Sequence, residues 1–165
     1  MVEHKDCSAT EKIAMDGLRV SGNLALMEVA DRSYAGKRLS RMLGELAKAG
    51  VNMNLFIGGE TQEEIRFACC VAGSDVAHIK ALMDPNPELR TGVELSAAVD
   101  LLALFPHCFD LKILGLGITA LARVGIPLHG FCSSLSAITF VTDHTDLDQA
   151  IAALKGCFEL GVETS

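Results

Sequence analysis

The sequence predicts an α+β fold built from two copies of one βαββαβ unit, with antiparallel sheets and the helices on one face. Residues 39–56 and 118–131 repeat one pattern, in which an apolar-striped segment ends in Leu-Ala-x-x-Gly and a β-branched residue follows. The two glycines, Gly50 and Gly125, lie 75 positions apart (125 minus 50), which indicates an internal duplication. Each copy continues into two alternating apolar stretches and another helical pattern, as a hairpin and a second helix would.

The composition indicates a folded protein of one or two small domains. Half of the 165 residues are hydrophobic and only 21% are charged, which excludes an intrinsically disordered chain. The formal net charge of −7 argues against binding to nucleic acid or to an anionic membrane surface. Residues 1–10 are polar where a secretory signal needs an apolar core, so we expect a soluble, cytoplasmic protein.

The first unit is predicted to cover residues 12–95. Residues 12–15 and 18–20 form a short hairpin around residues 16–17 in this interpretation, and residues 23–30 form an inner strand. A helix follows whose apolar residues have the spacing of one buried stripe. These residues are Leu39, Met42, Leu43, Leu46 and Ala47. Residues 51–57 and 65–71 then alternate as a hairpin, and a helix from residue 76 ends before Pro85.

The second unit is predicted to cover residues 96–160. Residues 98–105 form its first strand, and a striped helix begins near Leu111. Gly115 and Gly117 each weaken that helix by about 1 kcal/mol relative to Ala, unless they mark close packing. Residues 126–132 and 135–142 are predicted to form the hairpin, and Thr145 opens the last helix.

Cysteine and histidine residues give weak indications of chemistry. The six cysteines include no Cys-x-x-Cys pair, so we interpret them as reduced thiols that fill the core. His107 and Cys108 lie close to Asp110, but a nucleophile and its base usually converge from separate parts of a fold. No histidine pair has the spacing of a zinc site. We therefore expect no catalysis, no metal and no cofactor.

The order of elements and several short motifs resemble the ACT domain, in the tandem form of the regulatory half of aspartokinases. The residues that carry the resemblance are residues 13–16, Asp31, Arg32 and Gly36 before the first helix, the Gly50-Val51-Asn52-Met53 run after it, and the serine-rich residues 134–138. Ala35 stands where the family usually has proline. The resemblance implies two ferredoxin-like units and a small-molecule sensor, typically for an amino acid. No stretch resembles the start of the aspartokinase catalytic domain.

The resemblance also implies where an effector would bind. In the first unit these positions are Asp31, Tyr34, Ala35 and Gly36 of the loop before the helix, together with Asn52. In the second unit the loop holds Pro106, His107 and Asp110, but Pro127 stands in place of the asparagine.

Elementary chemistry agrees with a site in the first unit. A helix that begins near Gly36 presents backbone N–H groups to a carboxylate, and Asp31 could bind an ammonium group. The alternative is that Asp31 caps the helix and Asn52 satisfies the end of a strand. We thus expect a non-catalytic homodimer that binds an amino acid, or alternatively a constitutive interaction module without an effector.

Overall fold

The computed structural model describes residues 12–32, 36–60, 64–106 and 110–164, and it divides the chain into two compact units. The first unit consists of residues 23–99. The second unit consists of the described residues before 23 and after 99.

The described residues form the following strands and helices. The strands are β1 (Ile13–Asp31), β2 (Met53–Glu60), β3 (Ile65–Ala72), β4 (Val93–Phe105), β5 (Gly130–Ser133), β6 (Ile138–Asp143) and β7 (Phe158–Thr164). The helices are α1 (Lys37–Lys48), α2 (Val76–Met83), α3 (Pro87–Arg90), α4 (Leu111–Arg123) and α5 (Leu147–Cys157). The α+β prediction is confirmed.

In the first unit, β3 pairs antiparallel with both β1 and β2. The β1 and β3 pairing runs from Leu24 opposite Ala72 to Asp31 opposite Ile65. Helices α1 and α2 close the core on one face of this sheet, as the apolar stripes predicted. The buried residues of that core include Met27, Met42, Leu46, Phe67, Cys69, Val71 and Ile79.

In the second unit, β5 and β6 form the predicted hairpin, although both strands begin later than expected. Ser134 makes the turn, since its Oγ accepts the Ala137 amide hydrogen at 3.1 Å and its own amide donates to the Ala137 carbonyl. The core of this unit includes Leu102, Leu104, Leu121, Ile138, Phe140, Leu154 and Phe158.

The two leading helices end in the same way. Gly50 has φ 74° and Gly125 has φ 76°, both in the left-handed region that glycine tolerates. The amide of Val51 donates to the Leu46 carbonyl at 3.0 Å, and the amide of Ile126 donates to the Leu121 carbonyl at 3.1 Å. This is the Schellman arrangement at both positions, so the predicted equivalence of the two glycines is confirmed.

The N-terminal strand differs from its prediction. Residues 13–31 form one continuous strand of 19 residues, not a short hairpin followed by a separate strand. Residues 13–19 are held extended by parallel pairing with β7, from Ile13 opposite Phe158 to Arg19 opposite Thr164. The first unit consequently begins at Asn23, whereas the boundaries expected from the sequence were 12–95 and 96–160.

Strand β4 and helix α3 also differ in detail from their predictions. β4 begins at Val93, five residues before the strand expected at 98–105, and Ala98 lies within it at φ 60°. The short helix α3 begins at Pro87, beyond the end of α2, in a connection where no helix was predicted. Proline fits there because the first position of a helix needs no backbone N–H donor.

Candidate functional site

A cleft of about 710 Å³ lies in the first unit beside the N-terminus of α1. It is formed where β1 ends, α1 begins, β3 begins and α3 leads into β4. Eight charged side chains line it. They are Asp31, Arg32, Lys37, Arg38, Arg41, Glu64, Arg66 and Glu88.

Asp31 acts as the N-terminal cap of α1. The residue at the cap position, Gly36, has φ 61° and no side chain to accept a hydrogen bond. Asp31 supplies the acceptor instead, because its Oδ2 takes the amide hydrogen of Leu39 at 3.1 Å. Its carboxylate is 1% exposed, so this contact is made inside the fold.

Arg38 pairs with Asp31 and joins three neighbouring segments. Its Nε lies 3.3 Å from Asp31 Oδ1, and its side chain is 17% exposed. Its terminal amino groups donate to the carbonyl oxygens of Ala30, Glu88 and Thr91. Arg38 therefore connects the end of β1 to the segment that enters β4, and it has a structural role in the cleft.

Gly92 allows two segments of the cleft wall to lie close together. It has φ 69°, and a Cβ added there would lie 2.6 Å from the Ala30 carbonyl oxygen. The Ala30 amide donates to the Gly92 carbonyl at 2.9 Å. A larger residue would push these two segments apart.

The remaining charges, apart from Lys37, form ion pairs at the surface of the cleft. Glu64 receives the Nε–H groups of Arg32, at 3.2 Å, and of Arg66. The Arg66 and Arg32 hydrogen bonds, in that order of importance, hold the pKa of the Glu64 carboxyl below its usual range. Arg41 Nη1 lies 3.0 Å from Glu88 Oε2.

The structure separates the predicted site residues of the first unit. Asp31 and Gly36 lie at the start of α1, whereas Asn52 is exposed just beyond its end. Twelve helical residues span about 18 Å at 1.5 Å each, so the two groups lie at opposite ends of α1. Tyr34 and Ala35 lie outside the described residues.

In the second unit, Asp110 caps α4. Its Oδ1 accepts the Lys112 amide hydrogen at 2.8 Å. Pro106 follows the last residue of β4 and is half-buried. His107 and Cys108 lie outside the described residues, so the expectations for them stay predictions.

Among the described residues, no group of three or more His, Cys, Asp or Glu side chains could hold a metal ion. Cys69 and Cys70 are buried in β3, as the core interpretation predicted. Burial, with a smaller effect of Cys70, raises the pKa of the Cys69 thiol to about 12. That thiol is therefore protonated and unreactive at neutral pH.

A polar cluster in the second unit was not anticipated. Asp100 is fully buried, and its Oδ2 lies 2.8 Å from Nδ1 of His144. Asp100 Oδ1 and Thr142 Oγ1 are buried without a hydrogen-bond partner among the described residues. The sequence offered one signal for this cluster, namely an aspartate inside an apolar strand.

Sequence reasoning also missed the roles of Arg38, Glu64 and Gly92 in the cleft. None of the three was predicted as a site residue. The available signal was the start of α1, where Lys37 and Arg38 occur without an acidic residue in the first turn.

No protein-family model matches the sequence, and no curated protein sequence matches it either. Solved structures do match. The ligand-free regulatory subunit of aspartate kinase from Thermus thermophilus has a TM-score of 0.77 at 15% identity, covering 88% of this chain and 99% of that chain. The chain has the fold of aspartate kinase regulatory subunits. The regulatory subunit from Thermus flavus gives a TM-score of 0.78 at 14% identity, with 88% and 99% covered.

The aspartate kinase fold is also found within a longer enzyme chain. Aspartokinase III of E. coli, in complex with lysine and aspartate, matches at a TM-score of 0.66 and 19% identity, with 88% of this chain and 33% of that chain covered. The α+β fold of aspartokinase regulatory domains, which the resemblance implied, is thereby confirmed. Among the described residues, none of the helices is long and apolar enough to cross a membrane.

Proposed function

We propose that this protein is a non-catalytic regulatory protein that binds a small amino acid and transmits its occupancy through association with a second copy of itself. One observation carries the proposal. A cleft opens at the start of α1, in a unit that has the aspartate kinase regulatory fold.

The chemistry of the cleft suits an amino acid. The N-terminus of α1 favours a carboxylate, because free backbone N–H groups and the helix dipole concentrate positive charge there. Gly36 has no side chain to hinder that approach. Asp31 is engaged by Leu39 and Arg38, so the exposed Glu88 is better placed to receive an ammonium group.

The separation of Asn52 from the start of α1 supports a dimer. A single unit cannot present both to one small ligand, since α1 keeps them about 18 Å apart. A second copy packed antiparallel beside the first would bring its Asn52 to the loop of its partner. In the second unit Asp110 is used as a cap and Pro127 replaces the asparagine, so the proposal places the ligand in the first unit.

The related structures are consistent with this role. E. coli aspartokinase III was solved in complex with lysine and aspartate, and two of the matching proteins are regulatory subunits without the remainder of the enzyme. The transfer of amino acid binding to this chain is our proposal, since identities of 14–19% establish the fold alone.

The test is a thermal-shift screen of the twenty amino acids, followed by calorimetry. A ligand at 100 times its dissociation constant adds about 2.7 kcal/mol of stability. For a chain of this size that corresponds to roughly 5–10 °C in Tm. If no amino acid at millimolar concentration raises the Tm, the proposal is refuted.

A pair of variants tests the position of the site. Asn52→Ala should abolish the ligand-induced rise in Tm, whereas Asn54→Ala, an exposed asparagine two residues along the chain, should leave it intact. Light scattering with and without ligand then reports the change in association. Equal behaviour of the two variants would remove Asn52 from the site.

A second candidate function is a constitutive interaction module without an effector. Three large apolar residues of the second unit favour it, because Leu111 and Leu135 are both 76% exposed and Phe131 is 45% exposed. This candidate predicts an association that no amino acid changes.

A further inference from the structure

The cleft beside α1 has an excess of positive charge within an acidic protein. Five basic and three acidic side chains line it, a formal excess of two positive charges, whereas the whole chain carries −7. Such a local reversal of sign concentrates anions at the cleft.

Several of these cations remain accessible to a ligand. The side chains of Arg32 and Arg66 are 80% and 70% exposed, and both contact Glu64 through Nε. That mode of contact leaves the two terminal amino groups of each guanidinium for other acceptors. Lys37 is exposed and has no ion-pair partner among the described residues.

The charges at the N-terminus of α1 destabilise the helix. Lys37 and Arg38 are its first two residues, and no acidic residue lies in the first turn. Cations at this end oppose the helix dipole, which favours Asp and Glu there. Arg38 is explained by its contacts within the fold, but Lys37 is not. A bound anion would compensate for this unfavourable placement, and such local conflicts tend to occur at functional sites.

We infer that the ligand of this cleft is a small molecule with two carboxylates, such as an acidic amino acid. This inference rests on the proposed function, because it names the ligand class of the same cleft. Arg32 and Arg66 would bind one carboxylate, since guanidinium groups match its two oxygens. Lys37 and the N-terminus of α1 would bind the other, and Glu88 would receive an ammonium group.

The test uses isosteric pairs in calorimetry on the whole chain. L-glutamate is compared with L-glutamine, L-aspartate with L-asparagine, and L-lysine serves as the basic probe. At least one acid should bind about tenfold more tightly than its amide, as expected for one charge-assisted contact. That preference should shrink at 0.5 M NaCl, because salt screens exposed charges over about 10 Å or less.

The outcomes separate this inference from the proposed function. If an amide or L-lysine binds as well as the acids, the dicarboxylate inference fails while amino acid binding stands. If none of the twenty amino acids binds, both fail.

Matched variants locate the charge effect. Lys37→Gln and Arg32→Gln should each weaken binding of the acid about tenfold. Lys80→Gln removes the same charge from an exposed position on α2, outside the cleft, and should leave binding unchanged. All three side chains are exposed, so the variants should retain their folds, which circular dichroism verifies. An equal loss in Lys80→Gln would show a general charge effect and overturn the assignment of the cleft.

Discussion

Two glycines in α4 should respond in opposite ways to the same substitution. Gly115 is exposed, and a Cβ added there would meet nothing within 4 Å. Gly115→Ala should therefore raise the free energy of unfolding by about 0.5–1 kcal/mol, the difference in helix propensity. At Gly117 a Cβ would lie 2.5 Å from Cζ of Phe140, whose ring is fully buried.

The cost at Gly117 comes from Phe140. A contact of 2.5 Å must lengthen by about 1 Å, so the ring or the helix has to shift inside a close-packed core. Overpacking of this kind costs about 1–3 kcal/mol, and the propensity gain of about 1 kcal/mol offsets part of it. Gly117→Ala should consequently lower the free energy of unfolding by about 1 kcal/mol, the middle of the net range.

Urea unfolding followed by circular dichroism measures both variants, with thermal melts as a second readout. One kcal/mol corresponds to about 2–4 °C in a chain of this size. The explanation would be refuted if Gly117→Ala were as stable as the parent protein. A loss of stability in Gly115→Ala would refute it equally, since nothing surrounds that position.

Three further predictions concern the first unit. Asp31→Ala removes the cap of α1 and leaves Arg38 without its carboxylate partner. Urea unfolding should therefore show that the free energy of unfolding falls by about 3 kcal/mol. A fall of less than about 1 kcal/mol would contradict the assigned role. Lys37→Glu should stabilise the fold by roughly 0.5 kcal/mol in the same assay, because an acidic side chain interacts favourably with the helix dipole at this end. The same variant should weaken binding of an acidic ligand. A less stable variant would contradict the reasoning from the helix dipole. Because the pKa of Cys69 is raised in the folded state, the folded protein keeps a proton that the unfolded chain loses between pH 9 and 12. The contribution of Cys69 to the free energy of unfolding should therefore be constant below pH 9 and decrease as the pH rises toward 12. Cys69→Ala should flatten this fall, and an unchanged pH profile would exclude Cys69 as its source.

Local patterns were sufficient for most of the elements. The stripe of α1 and its terminal glycine fixed that helix, because a buried face and a left-handed C-terminus are both encoded within a few residues. The same pattern at Gly125 predicted the equivalent end of α4. The continuity of β1 was not predictable in this way, since residues 13–19 are held extended by pairing with β7, about 145 positions later in the chain.

The site was predicted less completely than the fold. Asp31 lines the cleft but caps the helix, and Asn52 lies just beyond the end of α1. Sequence position could not reveal that Arg66, Glu64 and Gly92 would approach the start of α1, because they come from elements distant along the chain.

The sequence alone predicts most of the elements and establishes the acidic character of the chain, because these are properties of short-range periodicity or of composition. The charge of the cleft depends on folding. Cations from β1, α1 and β3 become neighbours only when the sheet and helix pack together. Folding also buries Asp31 in an ion pair with Arg38. The side chains of Lys37, Arg32 and Arg66 stay exposed, so they are accessible to a ligand.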